Sequence, residues 1–187
     1  MRIISGAARG RTLKVPVGRE IRPTPDRVRE ALFSILTPTL SGASFLDLYA
    51  GTGAVGLEAL SRGAARAVLV ERAPGHVAVI RANLETTRLP GGTIEQGEVL
   101  RVLERLAARG ERFDFVFVDP PYAAEPERIA CLVRLARGDL LGVGGRVVVE
   151  MAARVPAATI NSLLLTRECR YGDTRLDFYE PGSESAS

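Results

Sequence analysis

Asp119, Pro120, Pro121 and Tyr122 follow directly on an apolar run, Phe115 to Val118. The run reads as a buried strand, and two consecutive prolines end it. The strand therefore delivers a carboxylate, a rigid turn and an aromatic ring to one point. That set suits a planar amidine-type nitrogen, such as the exocyclic amine of a nucleobase. Such a nitrogen is a poor nucleophile because its lone pair is delocalised into the ring. Two acceptors, the Asp119 carboxylate and the Pro120 carbonyl, would bind its two hydrogens. They would favour rehybridisation and stabilise the positive charge that develops during attack. Proline fixes φ, so the carbonyl is pre-aimed. Tyr122 offers a face on which an extruded base can stack. The plain structural alternative is a strand, a Pro-Pro turn and a packed tyrosine.

A second constellation lies upstream. "FLDLYAGTGAVG" places Gly51, Gly53 and Gly56 between a strand and a helix. Glycines there permit a tight turn and close approach of a ligand to backbone. Glu71 ends the next strand, 20 residues after Gly51. An acid at that place can accept hydrogen bonds from both hydroxyls of a ribose. Asp47 stands four residues before Gly51. Its carboxylate could accept from a ligand ammonium or hold the loop through backbone N–H groups. Gly97 and Glu98 follow the third strand, near where an adenine edge would lie. Thr52, Arg72 and Val99 are their neighbours in the three loops and complete the candidate cofactor-binding set. A glycine loop alone is a weak signal, since a dinucleotide site has the same spacing.

These residues need a scaffold that brings strand ends together. From about residue 44 the chain alternates strand and helix: SFLDLY, AVGLEALSR, AVLVE, GHVAVIRANLETT, GTIEQ, EVLRVLERLAAR, FDFVFVD, PERIACLVRLAR and GRVVVEM. Alternation with continuous apolar strands predicts an α/β fold with a parallel sheet covered on both faces. Ligands bind such sheets at the carboxyl ends of the strands, where all the candidates fall. The pattern changes at the end: LLLTRECRY and TRLDFYE flank Gly172 and Asp173, which predicts an antiparallel hairpin at one edge. Before the alternation, RIIS and RTLKV predict a hairpin. RPTPDRVREALFSIL predicts a helix with Thr24 as N-cap, Pro25 at its first position, Arg29 on its polar side and a loop from Pro38. The expected organisation is an N-terminal hairpin and helix over 1–42, a main domain over 43–180 and a mobile polar tail over 181–187.

Composition excludes several classes. The 187 residues are 46% hydrophobic and 25% charged, as in ordinary globular proteins. No apolar run reaches membrane-spanning length and no secretory segment opens the chain. Cys131 and Cys169 do not form a disulfide framework, so reduced thiols and a cytoplasmic location are expected. No Cys/His cluster suggests a metal. His76, the single histidine, reads as a solvated helix residue. Net charge is +3, yet residues 1–30 hold eight basic and three acidic side chains, a local surplus of five. A basic arm on a slightly acidic remainder fits a polyanionic partner such as nucleic acid. Arg9, Arg11, Lys14, Arg22 and Arg29 are the candidate contacts.

The glycine loop, Glu71 and Glu98 together resemble the Rossmann-like S-adenosylmethionine methyltransferases, although those usually carry aspartate where this chain has Glu98. D/N-P-P-Y/F resembles the signature of methyltransferases acting on amino groups. "RIISGAARGRTLKVP", "RPTPDRVREALFSIL", "FLDLYAGTGAVGLEALSRGA" and "FVDPPY" closely resemble, over nearly the whole chain, the bacterial family that methylates guanine N2 in 16S rRNA. The resemblance implies a seven-stranded sheet with a small N-terminal extension, S-adenosylmethionine as cofactor and small-subunit rRNA in an assembling particle as substrate. A monomer is the simplest expectation. An adenine-N6 methyltransferase, a nucleotide-dependent oxidoreductase and a non-catalytic RNA-binding module are the alternatives.

Overall fold

Side-chain alternation along the central strands builds two cores, one on each face of a single sheet. In β4 (Phe113–Val118), Val116 and Val118 join one cluster while Phe115 and Phe117 join the other. β1 (Ser44–Leu48) divides in the same way, with Leu46 and Leu48 on one face and Phe45 on the other. Both faces are apolar because helices cover both, as a parallel sheet requires. This computed structural model describes residues 1–16, 25–121 and 125–182.

The elements are α1 (Asp26–Leu40), β1, α2 (Ala54–Ser61), β2 (Arg66–Glu71), α3 (Pro74–Thr87), β3 (Gly92–Gln96), α4 (Val99–Ala108), β4, α5 (Glu125–Leu135), β5 (Leu141–Ala152), β6 (Leu163–Tyr171) and β7 (Thr174–Pro181). The strand order is β3-β2-β1-β4-β5-β7-β6. The first five strands are parallel, and β7 is antiparallel to both neighbours. The seven-stranded sheet with its terminal hairpin is the expected one. Strand order reverses between β1 and β4, the topological switch point of an open α/β sheet. The register there pairs Leu48 with both Val70 and Val118, so β1, β2 and β4 end level. No helix among the described residues is long and apolar enough to cross a membrane.

The bounds of α1 and β5 differ from expectation. α1 runs through Pro38 to Leu40 and does not stop before the proline. Leu36 and Leu40 are buried, and that packing carries the helix one turn further. The Thr37 hydroxyl also donates to the Phe33 carbonyl at 2.5 Å. At the other end Pro25 sits one position earlier than expected, its carbonyl accepting from Val28 and Arg29 N–H at 2.9 and 3.0 Å. Thr24, the expected cap, lies outside the described residues. β5 starts at Leu141, four residues before Gly145, because the pairing with β4 shifts register between Phe113 and Phe115.

The N-terminal hairpin forms with a single antiparallel bridge, Arg2 to Thr12, not two full strands. Ile3, Ala8 and Leu13 pack it onto Ala54 and Leu57 of α2. The buried Glu58 carboxylate accepts from Ile4 N–H at 2.8 Å and Ser5 N–H at 3.0 Å. Arg29 does not lie on a polar face. It is fully buried, donating to the Arg2 carbonyl at 2.6 Å and to Asp26 at 3.0 Å, with Nε 3.7 Å from Glu58. A charge that ties the hairpin to α1 and α2 cannot also reach a nucleic-acid partner at the surface.

Candidate functional site

The level ends of β1, β2 and β4 open onto a cavity of about 490 Å³. That is the size of a small-molecule pocket. Gly51, Glu71, Arg72, Glu98, Val99, Asp119, Pro120 and Pro121 line it, so the switch point gathers residues far apart in sequence. Asp47, Thr52, Gly53 and Gly97, the other expected cofactor residues, are not among its lining residues.

Each of those four has a structural task. Asp47 is buried and its Oδ2 accepts from Gly56 N–H at 2.8 Å. Of the two roles open to it, holding the loop is the one the geometry favours. Burial pushes its pKa up to about 7; the Gly56 N–H offsets part of this and the Glu71 charge adds to it. Gly53 has φ 77° and Gly56 lies close behind; a Cβ would stand 2.9 Å from Leu69 Cδ2 at Gly53 and 3.0 Å at Gly56. These two glycines let β2 pack under the loop, while Gly51 faces the cavity. The Thr52 carbonyl accepts from the Asn83 amide at 2.9 Å. Gly97 N–H donates to the Glu71 carbonyl at 3.1 Å, which sets the start of α4.

Glu71 is the hub of the loop side. Its Oε2 accepts from Gly51 N–H at 3.0 Å and its Oε1 from Ala73 N–H at 2.8 Å. An ionised carboxylate has about four acceptor positions, so capacity remains for ligand hydroxyls. His76 Nδ1 is 3.6 Å from Glu71 Oε1 and lines the cavity, so it is not the solvated surface residue expected. Its position in the first turn of α3, close after β2, is the available signal. Arg72 and Glu98 face each other at 3.7 Å across the exposed rim. Tyr49, also in the lining, has φ 63°, strained for a residue with a side chain. Burial, and then nearby acidic groups, raise its pKa.

On the other side of the switch point, β4 ends at Val118 and Asp119 enters the cavity wall, followed by buried Pro120 and exposed Pro121. Tyr122 lies outside the described residues. Gly51 and Asp119 thus follow adjacent strands and meet in one cavity. The lining pairs apolar Val70 and Val99 with carboxylates and backbone groups, a mixture that suits a nucleoside-like ligand beside a polar reacting group. Of the basic candidates, Arg9, Arg11 and Lys14 are exposed on the hairpin, with Arg11 also donating to the Thr86 carbonyl at 2.9 Å. Arg22 lies outside the described residues. Cys131 is buried and its thiol is pushed up to about 12 by that burial, as befits a core residue.

Asn83 is a position that the sequence does not single out. It bridges the Thr52 carbonyl to the hairpin, donating to the Lys14 carbonyl at 3.0 Å and accepting from Lys14 N–H at 2.7 Å. Its partners lie 31 and 69 residues away, so no local pattern announces them.

Residues 1–180 match the family model described as Conserved hypothetical protein 95. The ribosomal RNA small subunit methyltransferase D of Haemophilus influenzae is 32% identical over 184 residues, covering 96% of this chain and 93% of that protein. The protein of the same name from Escherichia coli K12 is 43% identical over 122 residues, 65% of this chain and 60% of that one. Among solved structures, the hypothetical protein TTHA0928 of Thermus thermophilus is 37% identical with a TM-score of 0.82, covering 95% of this chain and 98% of that one.

Proposed function

The chain belongs to the Conserved hypothetical protein 95 family, matched over residues 1–180, and from that premise we propose that it is an S-adenosylmethionine-dependent methyltransferase of ribosomal RNA. Its target is the exocyclic N2 of a guanine in 16S rRNA within an assembling small subunit, in the cytoplasm. The observation that carries the reading is the meeting of Gly51, Glu71 and Asp119-Pro120 in one cavity at the switch point. The methyltransferase D relatives support the rRNA part, and the amine chemistry of Asp119 and Pro120 supports the N2 part.

Bound in the cavity, S-adenosylmethionine supplies an electrophilic methyl group. Gly51 would let it approach the backbone, Glu71 would accept from its ribose hydroxyls, and Val70 and Val99 would supply apolar lining. The Asp119 carboxylate and the Pro120 carbonyl accept the two N–H bonds of the guanine amine. They would orient its lone pair and stabilise the positive charge that develops as the N–C bond forms and the methyl's bond to the sulfonium sulfur breaks; the sulfur leaves as a neutral thioether and the surplus amine proton passes to water. Tyr122 stacks on the extruded base. Arg9, Arg11 and Lys14 hold RNA phosphates, so residues 1–42 serve as the RNA-side extension of the catalytic domain over 43–180.

The test is single-turnover transfer of labelled methyl to small subunits that lack the modification, with the product nucleoside identified by mass spectrometry. N2-methylguanosine at one position is expected. Label in adenosine, in protein, or nowhere overturns the proposal. Alanine at Arg9, Arg11 and Lys14 together should flatten the salt dependence of particle binding by up to about three units of log–log slope. Cofactor affinity should be unchanged.

A further inference from the structure

A second, smaller recess of about 50 Å³ lies on the far side of the Pro120–Pro121 turn. Arg128 of α5 and Glu150 of β5 line it together with Met151. β5 runs parallel to β4 with Val149 opposite Val118, so Glu150 follows at the level of Asp119. The two cavities share the turn as a common wall, which puts this recess next to the proposed amine clamp.

Arg128 is 5% exposed, and its Nη1 is buried with no hydrogen-bond partner among the described residues. Its Nη2 lies 3.5 Å from Glu125 Oε1, and that carboxylate is largely exposed. An unmet donor on a buried guanidinium costs far more than one at the surface. Arg134, on the same helix, is equally buried and shows the contrast. It donates to Glu104 at 2.8 Å and to Asp139 at 2.7 and 3.1 Å. Arg29 also carries unmet donors, Nε and Nη1, but lines none of the cavities described; Arg128 lines this recess, so its guanidinium is placed to meet an acceptor that arrives with a ligand.

We propose that Arg128 and Glu150 read the Watson–Crick edge of the target base and make the site selective for guanine. This rests on the reading that the base amine sits at Asp119 and Pro120. Guanine carries, beside its N2 amine, an N1–H donor and an O6 acceptor. Glu150 accepts from N1–H, since a carboxylate retains acceptor positions after one partner is met. Arg128 Nη1 donates to O6. Adenine offers an amine too, but its N1 is an acceptor and would face a carboxylate, and it has no carbonyl for Arg128. A site built around such pairs rejects the wrong base because its own buried groups stay unpaired.

The experiment uses reconstituted small subunits carrying either guanosine or 2-aminopurine riboside at the methylated position, once that position is mapped. 2-Aminopurine keeps the N2 amine and lacks both O6 and N1–H. The wild-type enzyme should prefer guanosine in kcat/KM by about tenfold or more. Arg128→Met should lose about 10–100-fold on guanosine and stay within about twofold on 2-aminopurine, so the preference collapses. Arg128→Lys restores a donor and should recover part of it; it also serves if the methionine variant fails to fold. S-adenosylmethionine affinity, read by calorimetry, should be unchanged in both. Equal losses on the two bases in a variant that folds would make Arg128 a structural or phosphate-binding residue and overturn the inference, as would no loss at all. Wild-type enzyme silent on both bases would instead overturn the N2 reading itself.

Discussion

β1 and β4 lie side by side, run parallel and end level, yet they hand the chain to opposite kinds of turn. After β1 come glycines, and the loop has no stiffness of its own. Its shape is imposed from outside: Asp47 holds Gly56, Glu71 holds Gly51, and Asn83 holds the Thr52 carbonyl. After β4 come two prolines, which carry their rigidity in their rings. Loosely built backbone can fold closely around a ligand and needs surrounding side chains to define it. Ring-locked backbone can present one carbonyl in a fixed direction without that help. The proposed division of labour follows: the glycine side binds a cofactor and the proline side orients the reacting amine.

The largest expected effect separates the two sides by kind of defect. Asp119→Ala should lower single-turnover methyl transfer by about 10²–10³-fold, the usual loss for one electrostatic partner of a transition state. Cofactor affinity should stay within about twofold of wild type if the sides are independent. Asp119→Asn keeps a carbonyl acceptor and should retain partial activity. Near wild-type rates for Asp119→Ala would end the idea of an amine clamp. On the glycine side, Glu71→Ala should weaken S-adenosylmethionine binding by about 1.5–3 kcal/mol, measured by calorimetry. It removes ligand contacts and the Gly51 restraint together. Affinity unchanged in a folded variant would remove Glu71 from the cofactor site.

The comparison also shows what can be read from the chain. Both turns are legible, because glycine and proline punctuate locally and an acid at a strand end is visible without a structure. β3 and β6 have the expected bounds, since turn residues bracket them. What holds the turns is not legible. Arg29 reads as a polar-face residue because its partner Glu58 lies 29 positions away on another helix. Asn83 reads as an ordinary helix residue. Arg128 gives no local sign, and Glu150 is not singled out either, since it lies inside β5, two residues short of its end. Strand-end acids are legible as a class, while buried cations and amides acquire meaning only from contacts across the fold.

Asp47 gives a subtler probe of the imposed side. Its folded pKa, about 7, stands above the ordinary 3.8. The folded state therefore holds this proton more tightly than the unfolded chain does. Its contribution to stability is complete below about pH 4 and is lost as pH rises through 7. Asp47→Asn keeps an oxygen to accept from Gly56 N–H and removes the titration. Thermal midpoints of variant minus wild type should therefore grow between pH 4 and 7 and level off above. A flat difference would mean that Asp47 titrates normally and that its burial is relieved in solution.

The smallest effects come from exchanging the two backbone strategies. Gly53→Ala adds a Cβ at φ 77° and within 2.9 Å of Leu69 Cδ2, so it meets left-handed strain and a clash together. The conformational part alone costs about 1–2 kcal/mol. Pro120→Ala meets neither. The native φ suits alanine and the carbonyl that accepts the amine is retained; the losses are the extra freedom of the unfolded chain, about 0.4–1 kcal/mol, and the packing of the buried ring. Chemical denaturation should therefore rank Gly53→Ala as the more damaging. Methyl transfer should rank them by a different rule. If the Pro120 ring serves to aim its carbonyl, Pro120→Ala should slow the chemical step several-fold while Kd for S-adenosylmethionine holds, and Gly53→Ala should raise that Kd. A Pro120→Ala enzyme with unchanged single-turnover rate would show that β4 and the buried carboxyl end of the strand position the carbonyl by themselves. The contrast between ring-locked and imposed backbone would then be one of stability and not of catalysis.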